Sequence, residues 1–228
     1  MVCLCDDAPG QPEEQGRGAV TPSDQTALMA IGEAMDVRPG TKLFRQGDAA
    51  THIYMVESGV VRISHDLLDG KRQVLAFRWG GDVFGMAAGG RYLNNADALD
   101  KGRIQRFQAE RLQELLLSRP HMQNRFLLQA TAEISLQQHR IILMAKYDVV
   151  TKVVAFLLEC CGNGQCFDPA TQILKLPMSR PDIADYMGVA TESVSRALGV
   201  LERRKIIHRH DMHHLAIDLP RLRDCARL

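Results

Sequence analysis

Short β-prone runs separated by glycines dominate the stretch from Asp36 to Phe107, where HIYMV, VVRIS and QVLAF are punctuated by Gly40, Gly47, Gly59, Gly70, Gly80 and Gly85. Turn signals at intervals of about 8–12 residues predict an all-β sandwich or barrel. Val61, Ile63 and His65 alternate with Arg62 and Ser64, the period of a half-buried strand, whereas Ile53 to Val56 is more continuously apolar. After Gln108 the glycines stop, and from Pro120 to Tyr147 apolar residues recur at helical spacing: Met122, Phe126, Leu127, Ala130, Ile134, Leu136, Ile141 and Met144. A helix of about 25 residues reaches nearly 40 Å at about 1.5 Å per residue, more than a small domain needs, so part of its stripe is expected to pair with a second copy. The alternative is a helix lying wholly on its own β-domain. A further helix over Val150 to Glu159 leads into the loop CGNGQCFDPAT, and Gln172 to Leu176 reads as a strand.

The segment LPMSRPDIADYMGVATESVSR, Leu176 to Arg196, predicts two short helices joined by a tight turn. Ser179 caps the first, Pro181 falls in its first turn where a missing N–H costs nothing, and Asp182 suits the positive dipole end. Ile183, Ala184 and Met187 form its apolar stripe, which Gly188 terminates. In the second helix Val194, Leu198 and Leu201 pack inward, leaving Glu192, Ser195 and Arg196 together on the opposite edge. Ile206 to Arg209 and Leu215 to Asp218 form a hairpin around Asp211 to His214, which completes a winged helix-turn-helix. The exposed edge suits the DNA major groove: Arg takes guanine O6 and N7, Glu accepts from cytosine N4, and Ser is permissive. Glu192, Ser195 and Arg196 are therefore the candidate base readers, with Ser179, Arg180, Thr191, Ser193 and Lys205 as candidate phosphate contacts. The competing reading is a surface helix with an ordinary Glu and Arg pair, contributing only about 0.2–0.5 kcal/mol.

Composition narrows the choice. The chain has 228 residues, 46% of them apolar and 24% charged, a globular profile. Its formal charge of +1 argues against a generic polyanion binder. Charge is instead concentrated locally, since Arg196 to His214 holds five Arg or Lys against two acids, plus four histidines. With no apolar run of about 18 residues, and with Asp6, Asp7, Glu13 and Glu14 in place of a basic, apolar leader, neither a membrane span nor a signal peptide is expected, and the location is read as cytoplasmic. There is no P-loop, H-E-x-x-H, G-x-S-x-G or G-x-G-x-x-G, so no enzyme is expected.

Several pieces together resemble the Crp/Fnr family of bacterial transcription regulators over roughly residues 20 to 220: Pro39-Gly40 with Leu43-Phe44-Arg45-Gln46-Gly47-Asp48, Tyr54, Ser58-Gly59 with Val61, Gly81-Asp82-Val83-Phe84-Gly85, and TESVSR. The resemblance implies an α+β chain: a tail over 1–20, a β-roll (double-stranded β-helix) similar to cyclic-nucleotide-binding domains over 21–119, a dimerisation helix over 120–147, and a winged helix-turn-helix over 148–228. The Glu192, Ser195, Arg196 pattern is similar to the E-x-x-S-R helix of the Fnr and FixK side. It implies a homodimer that reads a TTGAT-N4-ATCAA-like palindrome in double-stranded DNA, works with RNA polymerase, and activates genes of low-oxygen or nitrogen-oxide metabolism. Ala190 departs from the pattern, because many relatives place a capping Ser or Thr there.

Cyclic-AMP-binding members continue after Gly85 with a Glu and then an Arg-Ser pair; Ala87 and Ala88 offer no carboxylate and Arg91 comes too early, so cAMP is not expected. An Fnr-type iron–sulfur cluster is not expected either, since only Cys3 and Cys5 lie near the amino terminus and residues 6–159 contain no cysteine. With no cofactor predicted, the resemblance points to FixK-type regulators set by their own abundance. The alternative is a metal- or redox-sensing member using Cys160, Cys161 and Cys166 on a loop near the wing, although their spacing is not a zinc-finger pattern. His65, His121 and His139 read as isolated structural or surface groups.

Overall fold

The computed structural model describes residues 22–226; the tail over 1–20, with Cys3 and Cys5, lies outside them. Contacts divide the chain into two compact units at Thr131 and Ala132, inside the long helix.

The first unit begins with α1 (Pro22–Ile31) and ends its β-roll with α2 (Ala109–Ser118). Between them run β1 (Gly32–Val37), β2 (Lys42–Phe44), β3 (His52–Ser58), β4 (Val61–Asp66), β5 (Arg72–Arg78), β6 (Val83–Phe84), β7 (Asn95–Ala98) and β8 (Gly102–Gln108). They form two four-stranded antiparallel sheets, ordered β1-β8-β3-β6 and β2-β7-β4-β5. The three runs singled out in the sequence fall in or against β3, β4 and β5. The predicted alternation in β4 holds only as far as Ile63. The register shifts between Ile63 and Ser64, and Ser64 turns inward, buried.

Inward residues of both sheets make the core, with Val56, Val61, Ile63, Ala96 and Ile104 around an aromatic group in which Phe44 stacks on Tyr92 at 3.8 Å. The Tyr92 hydroxyl donates to the His52 carbonyl at 2.7 Å, which satisfies its polar end inside an apolar shell. Leu28, Phe107, Leu112 and Met122 form a second cluster beneath. One close crossing demands glycine: a Cβ on Gly102 would stand 2.1 Å from the Ser58 carbonyl oxygen.

The long helix α3 (Pro120–Lys146) matches the predicted span to within a residue. Its Leu127, Ile134 and Ile141, a heptad apart, are all exposed, as are Leu128 and Ile142. In the second unit follow α4 (Val149–Cys161), β9 (Phe167–Asp168), β10 (Ile173–Lys175), α5 (Arg180–Met187), α6 (Thr191–Arg203), β11 (Ile207–Arg209), β12 (His214–Ile217) and α7 (Leu219–Ala226). The strands form one sheet ordered β11-β12-β10-β9, so the predicted wing hairpin exists and packs beside the strand that precedes the reader helices.

One placement is corrected. Cys160 and Cys161 are not on a loop but in the last turn of α4, because no stop signal precedes Gly162, which caps the helix. The helices α1, α2 and α7 were not anticipated.

Candidate nucleic-acid interface

The start of α5 is fixed by a reciprocal capping box. Asp182 N–H donates to Ser179 Oγ at 3.3 Å, and Ser179 N–H donates back to Asp182 Oδ2 at 3.0 Å. The Ser179 hydroxyl also donates to Asp182 at 2.7 Å, so its one proton is already committed within the protein. Gly188 ends the helix in the left-handed region at φ 64 and ψ 38, with open space around a notional Cβ. Its need for glycine is therefore one of backbone conformation alone.

Three residues later α6 begins at Thr191 without a side-chain cap, since Ala190 has none to give. Val194, Ala197, Leu198 and Leu201 are buried, and Glu192, Ser195 and Arg196 are exposed. The structure thus brings the three candidate base readers onto one solvent-facing edge. Thr191 and Ser193 sit half-buried in the first turn, and Arg196 Nη2 donates to Ser193 Oγ at 3.3 Å. At the far end Lys205 stands exposed at φ 57. Its N–H donates to the Glu202 carbonyl at 2.9 Å and that of Ile206 to the Leu201 carbonyl at 3.0 Å, a Schellman closure in which Ile206 packs back into the core.

Two features escaped sequence reasoning. Arg209, at the end of β11, pairs with Glu202 of α6 at 2.9 Å. Burial, together with the positive charge of Arg209, lowers the Arg180 pKa, while Glu202 works in the opposite direction. The charge run around Arg203 to Arg209 was the only hint of this group. The second feature is an anchor for the reader. The Arg140 guanidinium of α3 lies 3.6 Å from the centroid of the Tyr186 ring and donates to the Tyr186 carbonyl at 3.1 Å. The buried Tyr186 hydroxyl donates to Glu159 at 3.0 Å, and burial followed by the Glu159 charge pushes its pKa well up.

The cysteines stand apart from this surface chemistry. Burial raises the Cys160 thiol well above its ordinary value and Cys161 to about 12. Both are therefore held as neutral thiols, the form that neither ligates metal nor attacks a disulfide. Among the described residues no group of three or more His, Cys, Asp or Glu is placed to hold a metal ion. No helix there is long and apolar enough to cross a membrane.

Residues 34–119 match the family model described as Cyclic nucleotide-binding domain, and residues 151–225 match the Crp-like helix-turn-helix domain. The chain is 33% identical over 190 residues to the Transcriptional activatory protein AadR of Rhodopseudomonas palustris, covering 83% of this chain and 80% of that one. It is also 33% identical over 186 residues to the Nitrogen fixation regulation protein FixK of Rhizobium meliloti, covering 80% and 82%. A solved structure of FixK2 from Bradyrhizobium japonicum superposes with a TM-score of 0.76 at 25% identity, over 86% of this chain and 97% of that one.

The first match names a nucleotide that the residues here do not fit. After Gly85 the first carboxylate is Asp97, which is buried and held by Arg62 at 3.3 Å and Arg45 at 3.9 Å. These three groups, with Lys42, Asp66 and Arg72, border a polar hollow of about 460 Å³ on the β-roll. Arg91 donates instead to the Gly47 carbonyl at 2.6 Å. The first carboxylate after Gly85 is thus engaged by arginines, and the early arginine is tied to the backbone.

Proposed function

Since this chain belongs to the Crp/Fnr family of DNA-binding transcription regulators, on its FixK-like side, we propose that it binds a TTGAT-N4-ATCAA-like palindrome as a homodimer and activates genes of low-oxygen or nitrogen-oxide metabolism. The observation that carries this reading is the two-faced character of α6, buried along Val194, Ala197, Leu198 and Leu201 and exposed along Glu192, Ser195 and Arg196. Arg196 reads guanine, Glu192 the cytosine of the paired strand, and Ser195 tolerates its neighbour. Arg180, Thr191, Ser193 and Lys205 supply backbone contacts around that edge, while Ser179, whose N–H and hydroxyl both donate to Asp182, serves as the cap of α5. Support for the dimer comes from α3, where Leu127, Ile134 and Ile141 form an exposed heptad stripe. A two-fold pair of such helices carries two readers to half-sites about one DNA turn apart. In the cytoplasm the bound dimer contacts RNA polymerase, and control lies in the amount of the protein.

Selection of bound duplexes from a random pool, in air and under anaerobic conditions, tests this. The expected product is one palindrome, recovered equally in both, from protein that sediments as a dimer. An asymmetric single half-site, or binding that changes with oxygen, overturns the reading.

A further inference from the structure

The polar hollow on the sheet β2-β7-β4-β5 carries more positive charge than its own carboxylates neutralise. Asp97 of β7 stands in register with Lys42 of β2 on one side and with Arg62 of β4 on the other. Arg62 holds its carboxylate at 3.3 Å and Arg45, from the segment after β2, at 3.9 Å, whereas Lys42 forms no ion pair with any described residue. Asp66 and Arg72, register partners of opposite sign, offset one another further along. Three cations thus share one carboxylate, an excess of two positive charges.

Beside these charges lie two hydrogen-bond donors that the protein does not use. Ser64 and Asn95, another register pair of β4 and β7, both line the hollow and are only 1% and 2% exposed. Asn95 Oδ1 accepts from the Gln46 N–H at 3.0 Å, which leaves Nδ2 as a spare donor. Neither that nitrogen nor the Ser64 hydroxyl bonds to any described residue. Water filling the hollow satisfies the two donors and leaves the excess charge uncompensated; an oxyanion answers both, since guanidinium groups grip such oxygens in forked geometry. A phosphate monoester carries about −1.5 to −2 at neutral pH, which matches the excess, whereas a cyclic diester has lost its second ionisable oxygen. The volume, about 460 Å³, falls in the range of roughly 300–1,000 Å³ usual for small-molecule sites. None of Ala87, Ala88 and Arg91, where the resemblance places the contacts of a cyclic nucleotide, borders it.

We infer that this hollow binds a small polar molecule through a phosphate monoester, which Lys42, Arg45 and Arg62 hold by charge and Ser64 and Asn95 by hydrogen bonds. Asp97 is the positioning residue that keeps the two arginines at the site. The hollow belongs wholly to the first unit, so the inference does not rest on the DNA reading proposed above. It goes beyond that reading, in which no small molecule takes part.

The test is isothermal titration of the full chain with ribose 5-phosphate, in phosphate-free buffer at constant ionic strength. One saturable site per chain is expected, with competition from inorganic phosphate and no heat from ribose. Absence of binding by both the ester and inorganic phosphate at millimolar concentration overturns the inference. So does displacement of the ester by cyclic AMP, which would put it in a nucleotide pocket, or equal affinity for succinate, which would make the site one for carboxylates. Lys42→Gln, a change at an exposed side chain, and Ser64→Ala are each expected to weaken binding about tenfold, the loss of one hydrogen bond to a charged group. Without ligand Ser64→Ala should melt no lower than wild type, because its hydroxyl makes no bond in the free protein, and it should lose part of the rise in melting temperature that the ester gives. Variants that bind as wild type does refute the site, as does a Ser64→Ala protein that melts lower yet binds unchanged. Lys71→Gln, between β4 and β5 and outside the hollow, should bind as wild type; a matching loss there would reduce the effect to general charge attraction. Hydrogen exchange gives the location. Amides of β4 and β7 should slow with the ester present, and slowing confined to α6 would make the ester a mimic of DNA, overturning this inference and leaving the DNA-reading proposal standing.

Discussion

Arg140 ties the long helix to the first reader helix, and the strength of that tie can be worked from its geometry. The guanidinium sits 3.6 Å from the Tyr186 ring centroid, well inside the roughly 6 Å limit for cation–π attraction. Tyr186 is 5% exposed and Arg140 is half-buried, so the pair falls between exposed and desolvated cases, at about 1–1.5 kcal/mol. The bond from Arg140 Nη2 to the Tyr186 carbonyl, at 3.1 Å, has a charged donor and adds about 1.5 kcal/mol. Arg140→Met keeps the aliphatic stem and removes both, for an expected loss of about 2.5 kcal/mol. Tyr186→Leu removes the ring and the hydroxyl bond to Glu159 but leaves the backbone carbonyl, and the Glu159 bond, lost in both the single and the double variant, cancels in the cycle. A double-mutant cycle in urea should therefore return a coupling of about 1 kcal/mol, the ring's share alone. A coupling within about 0.3 kcal/mol of zero, the usual scatter for independent sites, would refute the tie. With the anchor gone, α5 and α6 lose a fixed relation to the carboxy-terminal end of α3. Selected half-site spacings should then broaden by a base pair in the Arg140→Met pool and stay sharp for wild type.

Arg196→Ala should relax selection at one base pair per half-site, with a loss of about 1–3 kcal/mol on the preferred sequence; loss of affinity spread evenly over all duplexes would count against base reading. Gly102→Ala drives a Cβ to 2.1 Å from the Ser58 oxygen, which forces two backbone turns apart; a destabilisation of about 3 kcal/mol or more is expected in urea, with α6 unaffected. Cys160 and Cys161 should resist a thiol reagent at pH 7.5 in the folded protein and react fully in urea, because burial holds both as thiols; fast labelling of either without denaturant would revive a redox role. Asp148 caps α4 by accepting from Thr151 N–H at 2.8 Å, and that bond lowers its pKa. Replacing it by Ala should cost about 1 kcal/mol at pH 7. A lowered folded pKa means that this contribution is complete above the ordinary aspartate value of about 3.9 and fades as the pH falls through the folded value, so the two proteins should converge in acid.

What could be read in the sequence was what short-range rules determine. The reader helices announce themselves through Ser179, Asp182 and Gly188, whose roles depend on residues three or four positions away. The strands β3 to β5 are legible because turns bracket them and β-branched or aromatic residues fill them. By contrast β7 is Asn-Ala-Asp-Ala, buried at every position. No local pattern predicts that strand, because Asn95 is satisfied by the Gln46 N–H at 3.0 Å and Asp97 by Arg62, partners 49 and 35 residues away. Arg209 was hidden at shorter range, since it meets Glu202, seven residues back, only because the turn at Lys205 folds β11 beside α6.

The division has a consequence for how such a reader can change. Glu192, Ser195 and Arg196 are exposed, and the Arg196 bond to Ser193 is a local one, so their replacement disturbs little packing. Surface substitutions of that type usually move stability by less than about 0.5 kcal/mol. The residues that aim them are in the opposite position. Tyr186 is buried under Arg140 and bonded to Glu159, and Arg209 is paired with Glu202; a change in any of these leaves a buried polar group or a charge without its partner. On the proposed reading, sequence preference therefore drifts by single substitutions along one edge of α6, while the pose in which that edge is presented changes only through several coupled replacements.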